Sequence, residues 1–453
     1  MLETQPLLGG PIKDNARTVL IVASVVALVV GVIVGFIIGW GVFDEGDITV
    51  KSFKEVGILH SLSGPLAVDE RHVVDATLLA IDEINAAGGL LGHHLKVVLR
   101  DGFSDEKIFA SEMQRMLTQD KVDVVFGCWT SGSRKAVLPA LASNNGLLFY
   151  PVQYEGVESH PNVVYTGAAP NQQILPAVQW AYQQGFRKFA LIGSDYIFPR
   201  TANAIVKDAL STMSGVTINE QYLILGEEDP SRVNAAVANI KTFAPDVILN
   251  TVNGDTNMLL FNALSTSAVS GAVISFSVAE PEVVQIMASG VSMAGSYASW
   301  NYFQSETSAA NNAFVTEFKN TYGQASVIGD PMAAAYTGVH LWAAAVKKAN
   351  SFVHADVKAA LPTVSVSSPM GQVTVSATNQ HTVKSWYLGR VQASGQFAIV
   401  ASSSSTINPD PYPLAGAHQT QTAWSNFLNC WNSKWGMWKN GAGPSAILPN
   451  DAC

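Results

Sequence analysis

The chain has 453 residues, 48% of them apolar and 13% charged, with a formal net charge of −9. This is the composition of an ordered protein too long for one hydrophobic core, so two lobes are the default expectation. The acidic balance and the lack of a basic patch exclude nucleic acid as a partner, because phosphate binding rests on clustered Lys and Arg.

In chain order, the first feature is the uncharged run "VLIVASVVALVVGVIVGFIIGWGVF", Val19 to Phe43. It is long enough to cross a hydrocarbon core of about 30 Å. It exceeds the apolar region of about 7–15 residues of a cleaved signal. The reading is a cytosolic tail over 1–17 and a transmembrane helix over 18–43. Lys13 and Arg17 precede the run while Asp44, Glu45 and Asp47 follow it, which keeps the N-terminus cytosolic and places the rest in a lumenal, periplasmic or extracellular space. Gly31, Gly35 and Gly39 form a small-residue face suited to dimerisation, or are ordinary membrane-helix composition. Glu3 with Leu7 and Leu8 resembles an acidic dileucine sorting signal, which would address the protein to an endolysosomal or vacuolar membrane.

After the anchor, short apolar runs alternate with amphipathic helical segments. "EVGILH" (55–60) precedes a helix over about 69–86, "LKVVLR" (95–100) one over 106–119, and "VDVVFG" (122–127) one over 134–144. "LLFY" (147–150), a helix over 172–184, "KFALIG" (188–193), a helix from about 201, "DVILNT" (246–251), another helix and "AVISFS" (272–277) follow. Continuous apolar strands separated by helices predict an α/β protein with parallel sheets covered on both faces.

Ligands of such sheets bind beyond the carboxyl ends of the strands. Those ends read "SLSGP", "CWTSGS", "PVQYEG", "SDYIFPR", "VNGDTN" and "VAEPE", a run of hydroxyl, amide, carboxylate and aromatic side chains after Val, Ile, Leu and Phe. Any single one is explained by capping or turn formation, but six together point to one shared cleft. Trp129 and Tyr150 are candidate walls, Thr130 and Ser131 candidate donors, and Gln153, Glu155, Asp195, Asp255 and Glu280 candidate acceptors. That set suits a small, neutral, planar amide or urea, which offers one carbonyl acceptor and several N–H donors. Adjacent His93 and His94 lack ligand spacing for a metal, no phosphate-cradling glycine pattern follows the first strand, and no G-x-S-x-G elbow occurs. No metal, cofactor or catalytic residue is expected, an amidase-type enzyme using Ser131 being the alternative from another class. Cys128 reads as a free packing thiol, while Cys430 and Cys453 are candidates for a disulfide.

The segments "VGILHSLSG" (56–64), "AIDEINAAGGLLG" (80–92), "LTQDKVDVVFGCWTSGSRKAVLP" (117–139), "LLFYPVQYEGVESHPNVVYTGAAPNQQ" (147–173) and "DPMAAAYTGVHLW" (330–342) resemble the type I, bilobed class of periplasmic solute-binding proteins. Specifically, "GCWTS", "YPVQYEG" and "NGD" are similar to the urea and short-chain amide binders of ABC transporters, over about residues 54–412. The resemblance implies two doubly wound lobes joined by three crossovers near 168–172, 296–301 and 350. Lobe 1 would hold 54–168 and 301–350, lobe 2 would hold 169–296 and 351–400, and 401–453 would be a C-terminal tail. It implies a pocket of Trp129, Ser131, Tyr150 and Gln153 from one lobe and Tyr196, Phe198, Asn253, Asp255 and Glu280 from the other, with Thr130 beside them. Glu155 is expected to order its own loop. Within the tail, Trp424, Leu428, Trp431, Trp435 and Trp438 form a helical stripe, packed on its own lobe or facing a partner. The expectation is a membrane-tethered protein that binds urea or a short-chain amide for uptake or sensing, working with a membrane transporter or receptor. A receptor-like sensor ectodomain for amides or amino acids is the nearest alternative.

Overall fold

The computed structural model describes residues 52–413. The expected membrane span, glycine face, dileucine motif, Cys430, Cys453 and tryptophan stripe lie outside the described residues.

The chain begins β1 (Ser52–His60), α1 (Ala67–Ala86), β2 (His93–Asp101), α2 (Glu106–Arg115), β3 (Val125–Gly127), α3 (Ser131–Ser143), β4 (Leu148–Tyr150) and β5 (Val163–Tyr165). These strands form a parallel sheet in the order β2-β1-β3-β4-β5. Ile58, Phe126 and Phe149 point into one core, while Leu59, Val125 and Leu148 point into another on the opposite face. Both faces of β3 and β4 and of the second half of β1 are therefore buried, which is why these strands read as apolar runs, whereas β2 at the sheet edge is mostly half-exposed.

Next come α4 (Ile174–Gln183), β6 (Lys188–Ser194), α5 (Ile197–Ser211), β7 (Thr217–Leu223), α6 (Pro230–Phe243), β8 (Val247–Thr251), α7 (Thr256–Thr266), β9 (Ala272–Ser275), α8 (Glu280–Ala288) and β10 (Tyr297–Trp300). The chain then returns to the first lobe through α9 (Ala309–Tyr322), α10 (Asp330–Ala349) and α11 (His354–Ala360), followed by the small antiparallel sheet β11 (Ser365–Ser368), β12 (Gly371–Val375) and β13 (Thr382–Val383). Phe314, Trp342, Leu361 and Val373 share one core with Ile58. Finally β14 (Tyr387–Val391) and β15 (Phe397–Ser402) add antiparallel to the second sheet, in the order β15-β14-β10-β9-β8-β6-β7.

The chain changes core after Tyr165, after Trp300 and between Val383 and Tyr387. The last change comes later than the position near 350 expected from the sequence, because Val357, Leu361, Val373 and Val375 stay buried in the first lobe's core. The three crossovers are stitched together. Gln172 Nε2 donates to the carbonyls of Thr382 and Ile407, both at 2.9 Å, and Asn301 Nδ2 donates to those of Gln172 at 2.9 Å and Ser385 at 2.7 Å. Among the described residues no helix is long and apolar enough to cross a membrane.

Candidate functional site

The end of β3 is bent by two special residues. Gly127 sits at φ +157, where an added Cβ would come within 2.1 Å of the Leu59 carbonyl oxygen, and Cys128 adopts a left-handed φ of +64. This corner brings Trp129 to the carboxyl edge of the sheet and starts α3, whose N-cap Thr130 accepts the Ser133 N–H at 2.9 Å. The Tyr150 hydroxyl donates to the Trp129 carbonyl at 2.7 Å and fixes that corner from below.

Under it lies a buried charge network. Arg134, fully buried, donates to Glu158 Oε1 at 2.8 Å, to Glu155 Oε1 at 3.2 Å and to Ser131 Oγ at 3.2 Å. Ser131 in turn donates to the other Glu155 oxygen, and Lys135 reaches Glu158 Oε2 at 2.6 Å. The guanidinium also lies over the rings of Tyr150 and Tyr154, at 4.8 and 4.6 Å. Burial would raise the Glu158 pKa, but the Arg134 and Lys135 charges outweigh it and hold the carboxyl well below the usual range. Ser131, Tyr150 and Glu155 thus serve the frame that carries Trp129.

A cavity opens between the two sheets, enclosing about 340 Å³ of empty space with the solvent at its mouth included. From the first lobe it is lined by Asp69, His72 and Val73 of α1 and by Trp129 and Gln153. The second lobe contributes Ser277, Ala279, Pro281, Glu282 and Trp300, and the start of α10 contributes Gly329, Pro331 and Met332. Gln153 ties the lobes together, its Nε2 donating to the Phe276 carbonyl at 3.1 Å, while its Oε1 is buried without a partner among the described residues. The Trp300 Nε1 is satisfied by the Val278 carbonyl at 2.8 Å, so this indole offers apolar ring surface.

Two acidic residues line this cavity from opposite lobes. Asp69 is pushed well above the usual carboxylate range by burial, then by the negative charges of Glu282, Asp255 and Glu70. Glu282 is also raised by burial, against which the Ala279 N–H, donating to its Oε2 at 2.7 Å, works. No Lys or Arg is among the described lining residues.

Of the residues singled out from sequence, Trp129 and Gln153 line the cavity. Tyr196 and Phe198 start α5 and pack in the second lobe's core, 6.4 Å apart between ring centroids. The Tyr196 hydroxyl is held far above its ordinary pKa by burial, then by Tyr150 and Glu155 of the first lobe. Asn253 is used locally, its Nδ2 on the Thr251 carbonyl and its backbone N–H on Ser194 Oγ, both at 3.0 Å. Asp195 pairs with Arg200 at 2.8 Å. Asp255 is exposed and accepts from Gln285 Nε2 at 3.3 Å. Glu280 is fully buried, one oxygen on the Gln304 N–H at 2.7 Å and the other unpartnered among the described residues. The sequence reading missed Asp69, His72, Glu282 and Trp300. Asp69 and Glu282 each stand third in a helix whose N-terminus opens on the cleft, so a search of helix first turns as well as strand ends would have found them.

Two parallel-sheet lobes with a polar, aromatic cavity between their strand ends define a bilobed solute-binding protein. Residues 54–417 match the family described as periplasmic binding protein domain, and the chain belongs to that family. Solved structures of similar fold include solute-binding proteins of ABC transporters. A solute-binding protein from R. palustris, solved in complex with 4-hydroxybenzoate, is similar in fold, with a TM-score of 0.70 at 22% identity, covering 78% of this chain and 97% of that one. The Leu/Ile/Val-binding protein BraC3 of Rhizobium johnstonii is 32% identical over 96 residues, 21% of this chain and 26% of that one. A protein named limonene hydroxylase from Geobacillus stearothermophilus is 33% identical over 118 residues, 26% of this chain and 22% of that one. The chain thus spans about a quarter of the length of these curated relatives.

The localisation expected from the sequence is corrected here. A single-pass protein with a lumenal or extracellular binding domain and an endolysosomal address gives way to the family finding of periplasmic solute-binding proteins of ABC transporters. Residues 19–43, on which that expectation rested, lie outside the described residues.

Proposed function

We propose that the cleft binds a small, neutral N–H-rich solute, urea or a short-chain amide, for delivery to an ABC-type membrane component. The observation that supports this reading is the polarity of the lining. Asp69, Glu282 and Gln153, whose Oε1 is unpartnered among the described residues, line one cavity together with Trp129 and Trp300, without a Lys or Arg among the described lining residues. A carboxylate ligand such as a benzoate or an amino acid would meet like charge there, whereas amide N–H groups meet acceptors and flat apolar faces. Urea has four heavy atoms, so about 1.5 kcal/mol per atom caps its binding near 6 kcal/mol, or tens of micromolar.

Titration calorimetry of the purified protein with urea, acetamide, 4-hydroxybenzoate and isoleucine tests the proposal. The expected result is heat with urea or acetamide and none with the two carboxylates. Micromolar binding of isoleucine or 4-hydroxybenzoate, with no response to urea or amides, would overturn it.

A further inference from the structure

The two carboxyl groups of the cavity are not equivalent. Glu282 is the third residue of α8, and its Oε2 accepts the Ala279 N–H at 2.7 Å. That bond and the helix N-terminus both favour its ionised form. Asp69 is also third in its helix, but it does not fold back onto the first-turn N–H groups and has no hydrogen-bond partner among the described residues, although it is only 8% exposed. Around it are Glu70 and His72 on α1, Glu282 on α8 and Asp255 at the start of α7. Three of those four are acids, and His72 is the only basic residue among the described residues lining the cavity. The second pointer to a ligand is independent of the acids. Gln153 lines the cavity and is 5% exposed; its Nε2 is anchored across the cleft on the Phe276 carbonyl, and its Oε1 is buried without a partner among the described residues.

We propose that Asp69 and Glu282 share one proton in the ligand-competent cleft, Asp69 as the acid that donates to a ligand carbonyl and Glu282 as the carboxylate that accepts a ligand N–H. This rests on the function proposed above and adds to it a rule of specificity. With one proton, the pair presents one donor and one acceptor, and Gln153 Oε1 supplies another acceptor, a set that matches urea with its single carbonyl oxygen and two amino groups. With both protons lost, the pair presents acceptors only and carries two negative charges. In that state it disfavours the urea carbonyl and suits guanidinium, a planar cation of the same four-heavy-atom shape whose N–H groups are all donors. The protonation state of two residues from opposite lobes then decides between two ligands that size alone cannot separate.

The experiment is binding of urea and of guanidinium chloride from pH 5 to pH 9, followed by Trp129 and Trp300 fluorescence and by calorimetry, with the intact protein and its Asp69→Asn, Glu282→Gln and His72→Asn variants. Urea affinity of the unaltered protein is expected to fall about tenfold per pH unit above the midpoint of the pair, while guanidinium affinity rises to a plateau. Asp69→Asn, whose amide permanently supplies a donor, should flatten the urea profile and weaken guanidinium binding at high pH by tenfold or more. His72→Asn should keep both slopes, which separates the carboxyl pair from the other titratable lining group. If Asp69→Asn fails to fold, Glu282→Gln carries the same test, with guanidinium binding lost at high pH. Urea binding that is independent of pH in the unaltered protein, or a slope that survives in Asp69→Asn, overturns the shared proton and leaves the proposed function standing. No binding of urea or any amide at any pH overturns both.

Discussion

Replacing Glu280 by Gln removes a charge from one of the most enclosed positions near the crossovers. The Glu280 side chain is fully buried, with one oxygen on the Gln304 N–H at 2.7 Å and the other without a partner among the described residues. Burial, opposed by the Gln304 bond and assisted by the charges of Glu282 and Asp330, raises its pKa from 4.5 to about 8. The folded protein therefore keeps a proton that the unfolded chain releases between pH 4.5 and about 8. In that window the unfolded state binds fewer protons, so stability falls as pH rises and levels off above the folded pKa. One proton is worth about 1.4 kcal/mol per pH unit, and between pH 5 and 8 the loss from this residue amounts to roughly 3–4 kcal/mol. Glu280→Gln keeps an oxygen for the Gln304 N–H and cannot ionise, so it should abolish that part of the slope. Calorimetric melting of both proteins at pH 5, 6, 7 and 8 measures it, heat being preferred because chemical denaturants are candidate ligands. At pH 5 the two proteins should differ little, and by pH 8 the variant should be the more stable. Parallel profiles across the range would refute the reasoning and mean that Glu280 is ionised in the fold at neutral pH.

The Arg134 network gives a second expectation. Arg134→Met leaves Glu155 and Glu158 with Lys135 as their one paired cation among the described residues; breaking a buried pair on one side costs about 3–5 kcal/mol, a loss visible as a lowered melting temperature. Asp255 was a candidate acceptor from sequence, but it is exposed and its described hydrogen bond runs to Gln285. Asp255→Ala should change urea affinity less than about threefold, within the modest worth of an exposed polar contact, and calorimetry showing a loss of tenfold or more would place it on the ligand.

The parallel cores were legible because β1, β3, β4, β6, β8 and β9 are buried on both faces and therefore carry unbroken apolar runs. β7, "TINEQYL", was not, since it is an edge strand whose residues are mostly half-exposed or exposed and whose sequence looks polar. β14 and β15 were missed as partners of the second sheet because an antiparallel addition from distant residues has no local signal. Of the strand-end residues, Trp129 and Gln153 line the cavity, while the Ser131 hydroxyl, the Tyr150 hydroxyl and the Asn253 Nδ2 donate to Glu155, to the Trp129 carbonyl and to the Thr251 carbonyl.

What the amino-acid order determined by itself is local: which runs are strands, where they stop, and that costly polar and aromatic residues follow them. Burial on two faces and capping act over a few residues, and a linear reading detects them. Only the tertiary structure decided which of those polar groups still have an atom to offer a ligand. Whether a hydroxyl or carboxyl is already satisfied depends on partners far along the chain, as with Ser131 and Glu155 or Gln153 and Phe276. The approach of Asp69 to Glu282 likewise arises from two helices on different lobes, a proximity set by the packing of whole sheets rather than by any spacing in the sequence.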